Sequence, residues 1–199
     1  MVVVKVSGDE LQRVQQRLGL FRSKAPVVLS KAINSAVNRA KKNVVKDVTD
    51  RYAVDGKELQ KAIRSKRSKP AKLSGQVTVQ GGRLALSKFL TDPMEPEGNR
   101  PKFYSAAVLK SDGFKPLTGG NEYSKGFLVR FESGHKAMVE RRTGTKNGAG
   151  REKLLERMGL SFPEMAGQRD VAQSIQEEAY RVLQQQIDKQ VKKAMEGKI

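Results

Sequence analysis

The amino-acid sequence predicts an α+β protein: long N-terminal and C-terminal helices packed on a central antiparallel β-sheet with extended loops. Three observations predict it. Apolar residues recur every three or four positions from Ser23 to Asp50, and again from Gln168 to about Lys193, as in amphipathic helices. Between these stretches, from Leu73 to Glu140, the apolar period falls to two, as in half-buried strands. The order is helices, then strands, then one helix, which segregates the two kinds of structure instead of alternating them as a βαβ chain does.

Each element follows in turn. Val2, Val3, Val4 and Val6 form a β-branched run that reads as a strand. Ser7-Gly8-Asp9 breaks it, and Ser7 or Asp9 caps a helix through about Leu18 that Gly19 ends. The long helix from Ser23 accepts Pro26 in its first turn. Its stripe is Val28, Leu29, Ala32, Ile33, Ala36, Val37, Ala40, Val44, Val45 and Val48, with Lys31, Arg39, Lys41, Lys42 and Lys46 on the face between. Asp55 and Glu58 match a capping box, opening a second helix with Leu59, Ala62 and Ile63 on its face, and Pro70 stops it. Leu73, Gln76–Val79 and Leu84–Leu86 read as strands with a Gly81-Gly82 turn between them. Thr91 to Lys102 holds three of the seven prolines and reads as a loop. Tyr104 to Lys110, Gly126 to Phe131 and Ala137 to Glu140 are further strands, separated by the turn-rich stretch 112–125. Thr143 to Gly150 reads as a Gly-rich basic loop, Arg151 to Leu160 as strand or helix, and Ser161-Phe162-Pro163 as a helix start. The last helix carries Val171, Ile175, Ala179, Val182, Leu183, Ile187, Val191 and Ala194. No internal repeat is visible.

We expect one domain over residues 1–199, with a helical part at 22–66, a β-rich part at 73–140 and a C-terminal helix at 168–195. The two striped helices exceed what a small β middle covers, so an isolated subunit is expected to expose apolar surface and associate. The loops at Asp92–Lys102 and Thr143–Gly150 are expected to be ordered mainly by neighbouring subunits.

Composition bounds the chemistry. Lys and Arg number 39 against 21 Asp and Glu, a formal charge of +18, which favours polyanionic partners. There is no Cys and one His, which excludes disulfide scaffolds, thiolate metal sites and paired-His chemistry. No apolar run approaches the roughly 18 to 20 residues of a membrane span, and MVVVKV is too short for a signal-peptide core. We expect a protein made and used in the cytoplasm, with no membrane partner.

His135, in E-S-G-H-K, has Glu132 and Ser133 beside it in sequence, but adjacency along the chain is not the geometry of a hydrolytic triad. It reads as a surface or turn histidine. Thr143 to Gly150 and the glycine pairs at 81 and 119 lack the spacing of a phosphate loop. Asp92, Glu95 and Glu97 lie in the Pro-rich stretch and read as solvated. No catalytic, cofactor-binding or metal-ligating residue is assigned. Two basic groups remain: Lys61, Arg64, Lys66, Arg67, Lys69 and Lys72, and Arg141, Arg142, Lys146 and Arg151. Nothing in either has the pattern of base-specific readout.

One segment resembles a known family. It carries A-x-N-x-A-x-N-R-A at Ala32–Ala40, R-Y-x-V at Arg51–Val54, R-x-K-R-x-x-P at Arg64–Pro70 and L-x-L-x-x-F ending at Phe89. Further on come G-F-x-V-R at Gly126–Arg130, S-G-H at Ser133–His135, V-x-x-R-T-G ending at Gly144 and S-x-P-x-M at Ser161–Met165. In order and spacing these resemble the minor tail protein Z family of lambda-like tailed phages, over residues 22 to 170. The resemblance implies a tail-completion-type virion protein of the neck, without catalysis or cofactor. It implies a homo-oligomeric ring, hexameric by preference, at the head-proximal end of the tail. Its implied partners are the tail terminator or tail tube protein, the head–tail connector proteins and genomic DNA passing through the lumen.

Two other readings compete. A small basic DNA-binding protein without sequence specificity would bind DNA tightly as a free monomer or dimer, in a salt-sensitive way. A nuclease would need clustered acids around a metal, which the spacing does not supply. Within the ring reading, a flexible basic loop reaches into a lumen, so Arg141, Arg142, Lys146 and Arg151 are expected nearest the DNA. Charges after a rigid helix suit a docking surface, so Arg64, Lys66, Arg67 and Lys69 are expected to meet protein.

Overall fold

The structure, a computed structural model, describes residues 2–96, 104–117 and 126–198. It is mixed α+β with antiparallel sheets. In chain order the first elements are strand β1 (Val2–Lys5), helix α1 (Gly8–Leu18), a 3-10 stretch (Gly19–Lys24), helix α2 (Ala25–Arg51), helix α3 (Gly56–Ala62), strand β2 (Ile63–Lys66) and strand β3 (Ser74–Val79). Then come β4 (Arg83–Ala85), β5 (Leu90–Asp92), β6 (Ser105–Ala107), β7 (Lys115–Pro116), β8 (Gly126–Arg130), β9 (Lys136–Lys146), β10 (Glu152–Glu156) and β11 (Met158–Ser161). Helices α4 (Phe162–Gly167) and α5 (Arg169–Met195) close the chain. The fold divides into two compact units: Met1–Val48 with Gln60–Gln80 and Ala166–Ile199, and Thr49–Leu59 with Gly81–Met165.

The first unit holds the sheet β1-β3-β2 and the long helices. Ser7 caps α1, its hydroxyl accepting from the Glu10 N–H at 3.2 Å, and Gly19 at φ 53° ends the helix in a conformation that favours glycine. Most of the α2 stripe is buried: Val28, Leu29, Ala32, Ile33, Ala36, Val37, Ala40, Val44 and Val48, with Val45 half-buried. On α5, Val171, Ile175, Ala179, Leu183, Ile187, Val191 and Ala194 are buried as well. Each large aliphatic side chain so placed stabilises the fold by about 1.5–3 kcal/mol. The expectation that these stripes stay exposed in one subunit is therefore corrected. The folded chain covers them without a second copy. Gly75 on β3 lies close against α2: a Cβ there would stand 2.5 Å from Val37 Cγ2 and 2.9 Å from Ile33 Cγ2.

The second helix ends sooner than expected. Asp55 does cap it, its Oδ1 accepting from the Lys57 N–H at 2.8 Å, while the Glu58 carboxylate takes the Lys88 ammonium at 2.8 Å. But α3 stops at Ala62, and Ile63 opens β2, paired with Val79 and buried. One isoleucine followed by Arg64-Ser65-Lys66-Arg67 leaves a continued helix without an apolar face, whereas a strand buries Ile63 and exposes the rest.

The second unit carries the sheets β5-β6-β7 and β8-β9-β10 and the pair β4-β11. Here β4 pairs with β11 and not with β3, so Gly81-Gly82 joins strands of different sheets. Thr91, read as loop, lies in β5 and is buried. The rest of that stretch, from Glu97 to Lys102, falls outside the described residues, as does most of 112–125, although Lys115–Pro116 forms β7. Arg151 to Leu160 resolves into β10 and β11. At the expected helix start, the Ser161 hydroxyl accepts from the Glu164 N–H at 3.2 Å, and Glu164 Oε2 accepts from the Ser161 N–H at 2.7 Å. That reciprocal pair is a capping box.

Candidate functional site

The expected basic groups occupy two different kinds of surface. The first begins at Lys61 in the last turn of α3 and runs along β2, the edge strand beside β3. Its far end is tied to α2. The Asn34 carboxamide donates to the Ser68 carbonyl at 3.1 Å and accepts from the Ser68 N–H at 2.8 Å, while the Ser30 hydroxyl donates to the same carbonyl at 3.1 Å. Ser68 in turn donates to the Lys72 carbonyl at 3.0 Å. Lys69 and Lys72 exchange backbone hydrogen bonds of 3.2 and 2.8 Å across Pro70-Ala71, closing a tight turn. Lys61, Arg64, Lys66, Arg67, Lys69 and Lys72 are all exposed. Residues 59–91 contain no acid, and no ion pair among the described residues involves any of the six.

The second group does not lie on a flexible loop. Arg141, Arg142 and Lys146 belong to β9, which continues past Glu140 to Lys146, and Arg151 follows the turn into β10. Val139 and Glu140 are the last residues of β9 that face both neighbours. Beyond them, among the described residues, β9 pairs with β10 alone. A bulge interrupts it: Lys153 opposes Arg142 and Glu152 opposes Lys146, with residues 143–145 between, where Gly144 at φ 81° supplies the irregular backbone. The turn is held by Asn147, whose Oδ1 accepts from the N–H groups of Ala149 and Arg151 at 3.0 and 2.9 Å. The strand forms because β10 supplies a hydrogen-bonded partner that a loop reading ignores. Within the hairpin Arg141 covers the Phe127 ring at 5.4 Å, a cation–π contact. Arg142 and Lys153 oppose each other directly, a like-charge pair that costs stability without an anion nearby. Leu154 and Leu155 are 40% and 49% exposed.

The other candidates are quieter. His135 closes the β8–β9 turn, where its carbonyl accepts from the Phe131 N–H at 2.9 Å. Its ring stacks on Phe131 and its Nε2 meets Glu156 at 3.1 Å, and Ser133 Oγ faces the His135 backbone N–H instead of its ring. Glu95 pairs with Arg130 and Lys136, and the Arg130 hydrogen bond holds its carboxyl below the usual glutamate range. Asp92 ends β5, and Glu97 lies outside the described residues, as does the glycine pair at 119. Among the described residues no group of three or more acids and histidines is placed to hold a metal, and no helix is long and apolar enough to cross a membrane. Between α2 and α5 runs a shallow polar groove of both signs, bridged by Arg39 to Glu178 at 3.1 Å and by Ser174 to Asp47 at 3.1 Å.

Sequence reasoning missed the Ser30–Asn34 clamp. Its signal was there: two polar residues one turn apart, interrupting the apolar stripe of α2. No curated protein and no solved structure matches this chain. The family model described as prophage minor tail protein Z (GPZ) matches residues 11–199, which extends the resemblance read from the motifs in both directions. With that match spanning nearly the whole chain, the protein belongs to the prophage minor tail protein Z family and is a structural component of a phage tail.

Proposed function

We propose that this tail protein forms a homo-oligomeric ring, hexameric by preference, at the head-proximal end of the tail, where it completes the tail and joins it to the head. Its neighbours in this reading are the tail terminator or tail tube protein, the head–tail connector proteins and the genome crossing the lumen. The observation that carries it is the segregation of unneutralised positive charge onto two surfaces of different build. The hairpin of β9 and β10 opposes Arg142 to Lys153, an arrangement that a polyanion relieves. The Lys61–Lys72 surface is fixed to α2 by Asn34 and Ser30, which suits docking on a protein. Arg141, Arg142, Lys146 and Arg151 accordingly face the DNA path, and Arg64, Lys66, Arg67 and Lys69 face a neighbouring protein.

The test is complementation of a phage lacking this protein. Reversing Arg141, Arg142 and Lys146 to Glu is expected to leave tails joined to heads while genome retention or ejection fails. Reversing Arg64, Lys66 and Arg67 is expected to leave filled heads beside unattached tails in negative-stain images. Swapped phenotypes would exchange the two roles, and normal particles from both would remove the proposal. The rival reading, a free DNA-binding protein without sequence specificity, requires tight salt-dependent duplex binding by a monomer or dimer and no head–tail phenotype.

A further inference from the structure

The first unit keeps one sheet edge open. The Gln80 N–H donates to the Ala62 carbonyl at 3.0 Å, so residues 62 and 80 form a hydrogen-bonded pair. Along an antiparallel ladder, bonded and non-bonded pairs alternate. Arg64 with Thr78 and Lys66 with Gln76 are therefore the bonded pairs, and at the Ser65–Val77 pair the Ser65 N–H and C=O point away from β3. Among the described residues no strand lies on that side of β2, and Arg64, Ser65, Lys66 and Arg67 are all exposed. An open edge is a template for another strand, and charged side chains restrict which strands add to it. A second copy of β2 would bring Arg64, Lys66 and Arg67 against their own kind, so self-pairing is disfavoured. An acidic strand meets the opposite situation. The edge is also preorganised, since the Asn34 clamp on Ser68 and the Lys69–Lys72 turn fix the strand's exit.

We infer that β2 is a docking strand: an extended acidic segment of a partner protein in the virion adds beside it as a fourth strand. Its backbone pairs with the outward groups of Ser65, and its carboxylates, on one face of the added strand, meet Arg64 and Lys66. This rests on the reading that the Lys61–Lys72 group faces protein. Duplex DNA would use the same cations but has no use for the strand edge, and so is the less favoured occupant.

Two variants of the full chain separate backbone from charge. Ser65→Pro removes the outward N–H and sets a ring against an incoming strand, yet breaks no β2–β3 bond and changes no charge; proline is tolerated where the N–H faces solvent. Arg64→Glu with Lys66→Glu keeps the edge and reverses its charge. The probe is a labelled synthetic peptide alternating Glu with Val, with a Glu-Pro peptide of equal charge and a short DNA duplex as competitors. Wild type is expected to bind the Glu-Val peptide and to show slowed hydrogen exchange at the Ser65 amide, a readout that needs no variant. Ser65→Pro is expected to weaken binding about tenfold or more, the charge reversal to abolish it, and the Glu-Pro peptide to compete poorly.

Equal peptide affinity in wild type and Ser65→Pro, or an unprotected Ser65 amide in the complex, overturns strand addition. A duplex that displaces the peptide, or self-association that Ser65→Pro removes, overturns the acidic strand as the occupant of this edge. Complementation separates this inference from its premise. Joining lost by the charge reversal but kept by Ser65→Pro refutes strand addition alone, whereas joining kept by both refutes protein docking at this surface.

Discussion

Replacing Gly75 by Ala tests whether β3 truly lies on α2. The added Cβ would stand 2.5 Å from Val37 Cγ2 and 2.9 Å from Ile33 Cγ2, whereas carbon atoms in good contact sit about 3.5–4.0 Å apart. Relief needs either the helix and strand to part by about 1 Å or the side chains to turn. Ile33 and Val37 are buried, and β-branched residues in a helix hold one preferred rotamer, so neither route is easy. Overpacking of this kind costs about 1–3 kcal/mol. For a chain of this size each kcal/mol lowers Tm by about 2–4 °C, so a fall of about 2–12 °C is expected in thermal melts followed by circular dichroism. The sign is the informative part, because Gly→Ala at an unhindered site raises stability by about 0.4–1 kcal/mol. Val37→Ala removes the nearer methyl, so in that background Gly75→Ala should cost less, with a coupling of about 0.5–3 kcal/mol. A rise in Tm for Gly75→Ala, or strict additivity with Val37→Ala, would refute the contact.

Three further outcomes follow. Asn34→Ala removes both bonds to Ser68, and at about 0.5–1.5 kcal/mol each it should cost about 1–3 kcal/mol in urea melts and expose the Lys69–Lys72 turn to protease; a wild-type midpoint and digest would count against the clamp. Ala36→Glu puts a charge at a site with no exposure and should cost about 3 kcal/mol or more, read as loss of soluble folded protein; full heat stability would mean the stripe is not buried in solution. The third concerns acid. The Ser161 backbone N–H holds the Glu164 carboxyl below its ordinary 4.5, and Arg181, then Arg39, do the same for Glu178. A depressed carboxylate stabilises fully above its ordinary titration and loses that contribution as pH falls through the lowered value. Tm should therefore hold from neutral pH down to about 4.5 and drop below it, less steeply in Glu164→Gln and Glu178→Gln; a fall beginning near pH 6 would assign acid sensitivity elsewhere.

The helical frame was legible because helix periodicity is local. Ser7, Gly19, the stripe of α2 and the stripe of α5 each depend on neighbours within a few residues. The misread parts depend on partners far along the chain. Leu84–Leu86 looked like the return strand of a Gly81-Gly82 turn, but its partner is β11, more than seventy residues on. Ile63 fits a helix face after Leu59 as well as a strand face, and only pairing with Val79 decides it. Residues 143–146 have loop composition, and the pairs that Arg142 and Lys146 form with β10 carry them as a bulge inside β9. The basic groups themselves were visible as composition. Which backbone groups of β2 stay unpaired was not, since that is set by the register against β3.

A protein whose long helices are already covered from within can be made before it is needed. The apolar stripes of its helices require no neighbour to cover them. What remains outside includes apolar side chains such as Leu20, Leu154 and Leu155, and a net positive charge that keeps copies apart in solution. Incorporation into a particle would then be timed by the arrival of an oppositely charged surface, and high salt would delay that step while leaving the folded chain intact.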